Sequence, residues 1–131
     1  MSRVVLPLVV LVAICFLYFG TNRDLGDRHT VNNGDVYYKN GITKDEAEKL
    51  GRFLVREKYF EGGRKSVQLT KNANKYLLRF VIKPDAHDDL KLKLVLQNLA
   101  GKFAKEELSG AEIEIELCDR NLVTIQVITP K

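Results

Sequence analysis

The sequence predicts an α+β fold, in which an N-terminal transmembrane helix precedes a β(αββ)2 domain with a mostly antiparallel five-stranded sheet and two helices on one face. Three observations lead there. An uncharged run fills Val4–Phe19, apolar alternation of period two recurs in pairs of segments further on, and each pair follows a stretch with apolar residues at helical spacing.

The run VVLPLVVLVAICFLYF, with Gly20, is about as short as a bilayer-spanning helix can be at 1.5 Å per residue. Pro7 stands in its first turns, where a missing N–H costs little. Signal-peptide cleavage requires small residues at −3 and −1, and the run ends on Leu17, Tyr18, Phe19 and Gly20. A lipid-modified cysteine requires a small residue before it, and Ile14 precedes Cys15. Residues 1–20 therefore read as an uncleaved signal anchor, making the protein a single-pass membrane protein. Arg3 before the run and Arg23 and Arg28 after it give almost no positive-inside bias. The short leading region followed at once by the run resembles export signals, so the domain is expected outside the cytoplasm. Residues 21–33 (TNRDLGDRHTVNN) are polar and aperiodic and read as a flexible tether.

Residues 34–131 read as the domain. Val36, Tyr37 and Tyr38 form a short strand closed by the turn dipeptide Asn40-Gly41. Thr43 and Glu46 make a capping box, and Ala47, Leu50, Phe53 and Leu54 supply the buried face of a helix reaching about Lys58. Two strands follow, around Val67–Leu69 and over Tyr76–Ile82, the second stopped by Pro84. Asp85 or Asp88 opens a longer helix with Leu92, Val95, Leu96, Leu99 and Phe103 on its apolar stripe, and Ser109-Gly110 ends it. In the last pair, Ala111, Ile113, Ile115 and Leu117 alternate with glutamates, and Val123, Ile125 and Val127 alternate with Thr124 and Gln126. The helices repeat a pattern, Leu50-Gly51-Arg52-Phe53 against Ala100-Gly101-Lys102-Phe103. Glycine inside a helix costs about 1 kcal/mol against alanine, so both glycines are expected where a helix closely approaches the sheet.

The stretch Val36-Tyr37-Tyr38-Lys39-Asn40-Gly41-Ile42-Thr43, the helix Glu46-Ala47-Glu48-Lys49-Leu50-Gly51 and Ser66-Val67-Gln68-Leu69 resemble an uncharacterised family of membrane-anchored bacterial domains. The likeness spans nearly all of the part after the tether. It implies no activity, ligand or site.

Glu112, Glu114 and Glu116 form an acidic comb on one strand face, able to meet a cation or a basic partner, or to pair across strands with Arg79 and lysines. Cys118 shares that face beside Asp119 and Arg120, without a histidine in sequence reach. His87 lies among Asp85, Asp88 and Asp89, which also suit the start of a helix. No P-loop, GxGxxG, GxSxG, HExxH or CxxC pattern occurs. The net charge of +4 is spread among mixed signs with no Lys/Arg block, so no nucleic-acid partner is expected. Cys15 lies in the apolar run and Cys118 far beyond it, which rules out a disulfide framework within the domain. The leading expectation is a membrane-anchored, non-catalytic binding module meeting a protein partner through the polar face or edge of its sheet. Glu112, Glu114, Glu116 and Arg79 are the candidate contact surface, and no catalytic residue, metal or cofactor is assigned. The second reading is a small enzyme or ion-binding protein using His87, its neighbouring aspartates or Cys118. A nucleic-acid-binding module comes last.

Overall fold

The computed structural model describes residues 25–128. One sheet runs in sequence order through β1 (Asp27–Val31), β2 (Gly34–Tyr38), β3 (Lys65–Asn72), β4 (Lys75–Val81), β5 (Glu112–Cys118) and β6 (Thr124–Ile128). Consecutive strands form three antiparallel hairpins, β1/β2, β3/β4 and β5/β6. The hairpins join through parallel pairings, β2/β3 and β4/β5. A parallel neighbour cannot be reached by a tight turn, so each of these junctions takes a helical crossover. The first is α1 (Lys44–Arg56); the second is a 3-10 turn (Pro84–Asp88) followed by α2 (Leu90–Glu107).

This corrects the sequence-derived fold class. The sheet is six-stranded and mixed, not five-stranded and mostly antiparallel. The extra strand, β1, lies in the segment expected to be a tether. It carries no apolar alternation because it is an edge strand with mostly exposed side chains, held by backbone pairing to β2. Its turn was visible as Asn32-Asn33 before Gly34, with Asn32 at φ 54. The expected anchor, residues 1–20, lies outside the described residues. Among the described residues no helix is long and apolar enough to cross a membrane.

The helix starts follow local chemistry. Thr43 Oγ1 accepts from the Glu46 N–H at 3.1 Å, and Glu46 Oε1 accepts from the Thr43 N–H at 3.0 Å, completing the capping box. Glu46 Oε2 also accepts from the Tyr76 hydroxyl at 2.6 Å, tying the start of α1 to β4. That bond and burial push the Tyr76 hydroxyl up to about 12. At α2 the cap is Asp89, whose carboxylate accepts from the Leu92 N–H at 3.1 Å, while Asp85 and Asp88 sit in the preceding 3-10 turn.

Register aligns the core in rows. Val36, Val67, Phe80 and Leu117 lie side by side across β2–β5, and Leu69, Leu78 and Ile115 form the next row. All are buried beneath Leu50, Phe53 and Leu54 of α1 and Leu96, Leu99 and Phe103 of α2. The Phe53 and Phe103 rings meet at 5.3 Å, so the repeated Gly-x-Phe patterns place the two helices against each other. The repeated glycines differ. Gly51 is buried, and a Cβ there would stand 3.1 Å from His29 and Val31 of β1, whereas Gly101 is partly exposed.

Both helices lie on one sheet face, yet the β3/β4 hairpin reverses strand direction between the two crossovers. Two crossovers that step the same way along a sheet, over one face but with opposite strand directions, cannot share a hand. One of them is therefore left-handed, against the strong right-handed preference of such connections.

Glycine space gives a clean test of this packing. A Cβ on Gly34, at the start of β2, would run into the ring of the buried Phe60, while one on Gly63 meets nothing within 4 Å. Gly34→Ala should lower stability in urea melts by about 1–3 kcal/mol, the usual cost of overpacking. Gly63→Ala should stay within about 0.5 kcal/mol. Equal midpoints for the two variants would contradict the Gly34–Phe60 packing.

Candidate functional site

The sheet side away from the helices carries Gln68, Lys75, Arg79 and the glutamates of β5, with Leu77 and Val127 among them. Parallel pairing sets Lys75 beside Glu112 and Arg79 beside Glu116. Lys75 Nζ stands 2.9 Å from Glu114 and 3.5 Å from Glu112, and the Glu114 hydrogen bond leads the effects that raise its pKa. Arg79 Nε donates to Glu116 at 3.0 Å, and the Thr124 hydroxyl donates to the same oxygen at 2.7 Å. Each comb carboxylate therefore has a cation across the strand. The exposed pairs of Lys75 with Glu112 and Glu114 contribute about 0–1 kcal/mol.

The row continues inward. Arg79 Nη1 donates to Gln68 Oε1 at 3.2 Å, and Gln68 Nε2 donates to the Leu25 carbonyl at 3.1 Å. Gln68 is fully buried although it points to the polar side. Leu25, two residues ahead of β1, thus lies against this side of the sheet. Leu25 lines a small cleft of about 80 Å³ with Tyr37, Ser66, Val81, Arg120 and Leu122.

The other sequence candidates are separate from one another. His87 Nδ1 lies 2.8 Å from the Pro84 carbonyl and Nε2 lies 3.1 Å from Asp88, at an exposed turn. Among the described residues no group of three or more His, Cys, Asp or Glu side chains could hold a metal. Cys118 is buried at the end of β5, and burial pushes its thiol up to about 11, with Arg79 pulling weakly the other way.

A larger feature opens where β3 begins and β4 and β5 end. It is a cavity of about 770 Å³ with Tyr59, Val81, Ile82 and Leu92 among its apolar lining. Four cations line it, Arg64, Lys65, Lys83 and Arg120, with Asp119 as the acid. Arg64 Nη2 donates to both oxygens of the buried Asp35 at 2.9 Å. Lys65 Nζ donates to the Glu61 carbonyl at 2.7 Å and stands 5.5 Å from the Tyr59 ring centre. Asp119 Oδ1 is engaged by the N–H groups of Asn121 and Val123 at 2.9 and 3.0 Å. The side chains of Lys83 and Arg120 make no hydrogen bond or ion pair with the described residues. Sequence reasoning missed this cluster because its members stand far apart in the chain. The available signal was that Lys65, Lys83 and Arg120 each fall at, or within two residues of, a strand terminus.

Fold and surface together define an α+β domain of three hairpins and two crossover helices, with a basic cavity at one end of the sheet. The chain belongs to the AF_1994_N family, described as a family N-terminal domain, which matches residues 28–127 and so reaches from β1 into β6. No curated protein and no solved structure matches the chain.

The state of Cys118 has a direct chemical readout. In a Cys15→Ser chain, a thiol reagent should label Cys118 slowly at neutral pH, because the thiolate is the nucleophile and burial disfavours it. Labelling should accelerate as pH rises towards about 11 and become fast at neutral pH once urea unfolds the domain. Rapid labelling of the folded chain at neutral pH would show an activated thiol instead.

Proposed function

We propose that this chain is a binding module attached to a membrane through its N-terminal apolar run, with its working site in the basic cavity at the end of β4 and β5. The carrying observation is the pair Lys83 and Arg120, whose side chains make no ion pair among the described residues and stand beside an apolar lining. A cavity of this kind, mostly apolar with a few convergent polar groups, is the default place for a ligand. The comb of Glu112, Glu114 and Glu116 is a weaker candidate, because Lys75 and Arg79 already occupy it. An enzymatic reading draws no support from Cys118, whose thiol is held protonated, nor from His87, whose two ring nitrogens face Pro84 and Asp88.

Membrane attachment is supported by the sequence. Val4–Phe19 carries no charge, lies with Gly20 at the short end of what spans a bilayer, and ends without a cleavage pattern.

Fractionation tests the attachment. The full chain should sediment with membranes and stay there after a high-pH carbonate wash, while a chain starting at Thr21 should move to the supernatant. Recovery of the full chain in the soluble fraction, or of a mature form starting near Gly20, would contradict the attachment.

A further inference from the structure

The basic cavity and the lead-in of the chain are neighbours. Val81 and Arg120 line both the cavity and the small cleft that holds Leu25. Five residues, Gly20 to Asp24, separate Leu25 from Phe19, where the apolar run ends. A fully extended chain covers at most about 3.3–3.6 Å per residue, so Leu25 stands within roughly 20 Å of the end of the run. If the run lies in a bilayer, the cleft beside the cavity is held within that reach of the lipid head groups.

From this placement we infer that the cavity takes the phosphate head group of an anionic membrane lipid; the assignment rests on the membrane-attached reading above. Among the described residues the side chains of Lys83 and Arg120 make no ion pair, so both are available to an anion. A guanidinium pairs with phosphate through parallel N–H···O bonds, a geometry that suits Arg120 and the Nε and Nη1 of Arg64 that Asp35 leaves unused. Asp119, whose Oδ1 accepts from two backbone N–H groups, is the one acid in the lining and leaves the four cations there in excess. Beside the cations, Val81, Ile82 and Leu92 offer an apolar wall to the glycerol and first methylenes that accompany a lipid phosphate. A bare inorganic anion would use only half of such a site.

The test uses the full chain in nanodiscs of phosphatidylcholine alone, or with phosphatidylserine added, and follows acylation of individual lysines by mass spectrometry. Anionic lipid should slow labelling of Lys83 several-fold and leave Lys44, at the opposite end of the sheet, unchanged. Arg120→Gln should remove that protection, and raised salt should weaken it by screening. Equal Lys83 labelling in both discs would overturn the lipid assignment while leaving membrane attachment intact. Protection by inorganic phosphate in neutral discs, equal to that given by phosphatidylserine, would overturn it in favour of a soluble anion. A chain that enters neither disc overturns the membrane reading and this assignment with it.

Discussion

Gln68 is an amide buried on the side of the sheet away from the helices, and its satisfaction constrains everything around it. Leaving a buried amide unpaired costs about 1–3 kcal/mol. Its carbonyl is met by Arg79, and one of its N–H groups by the Leu25 carbonyl. Arg79 in turn holds Glu116, which Thr124 also bonds, so one row of polar contacts crosses from the lead-in of the chain to β6. The row only closes if β3, β4 and β5 keep their register, with Gln68 beside Arg79 and Arg79 beside Glu116. A slip of one residue would send these groups into the core.

That row also sets the geometry of function. By fixing Leu25 against the sheet, it brings the start of the domain beside Val81 and Arg120 and hence beside the basic cavity. The opposite face is devoted to packing, with Phe53 against Phe103 joining two helices over one core. Retaining both helices on that face forces one crossover into the disfavoured hand, and the aromatic core joins them at that place. The division of labour is plain: one face makes the fold, and the other positions the chain and its charges.

Much of this was legible in the sequence because the physics was local. The Thr43–Glu46 capping box, the alternation of Ile113, Ile115 and Leu117, and the stop at Ser109-Gly110 all depend on residues within a few positions of each other. Cross-strand pairing of the comb could be named as one outcome, because alternation places the glutamates on one face; the partners Lys75 and Arg79 needed the register. β1 escaped because an edge strand needs backbone partners more than apolar side chains, and DRHTV offers little alternation to read. Parallel pairing escaped because strand direction depends on where a crossover returns the chain, which composition does not record. The cavity escaped for the same reason: Arg64, Lys83 and Arg120 are joined only by topology.

The central claim is that the polar row pins the lead-in of the chain against the sheet. Methyl-resolved nuclear Overhauser spectra of the full chain in detergent micelles address it directly. The account predicts contacts from the Leu25 methyls to those of Leu122 and Val81, and their loss in a Gln68→Ala chain that still shows the core contacts of Leu78 and Ile115. Leu25 methyls at unstructured chemical shifts, without contacts to either residue in the unaltered chain, would contradict it.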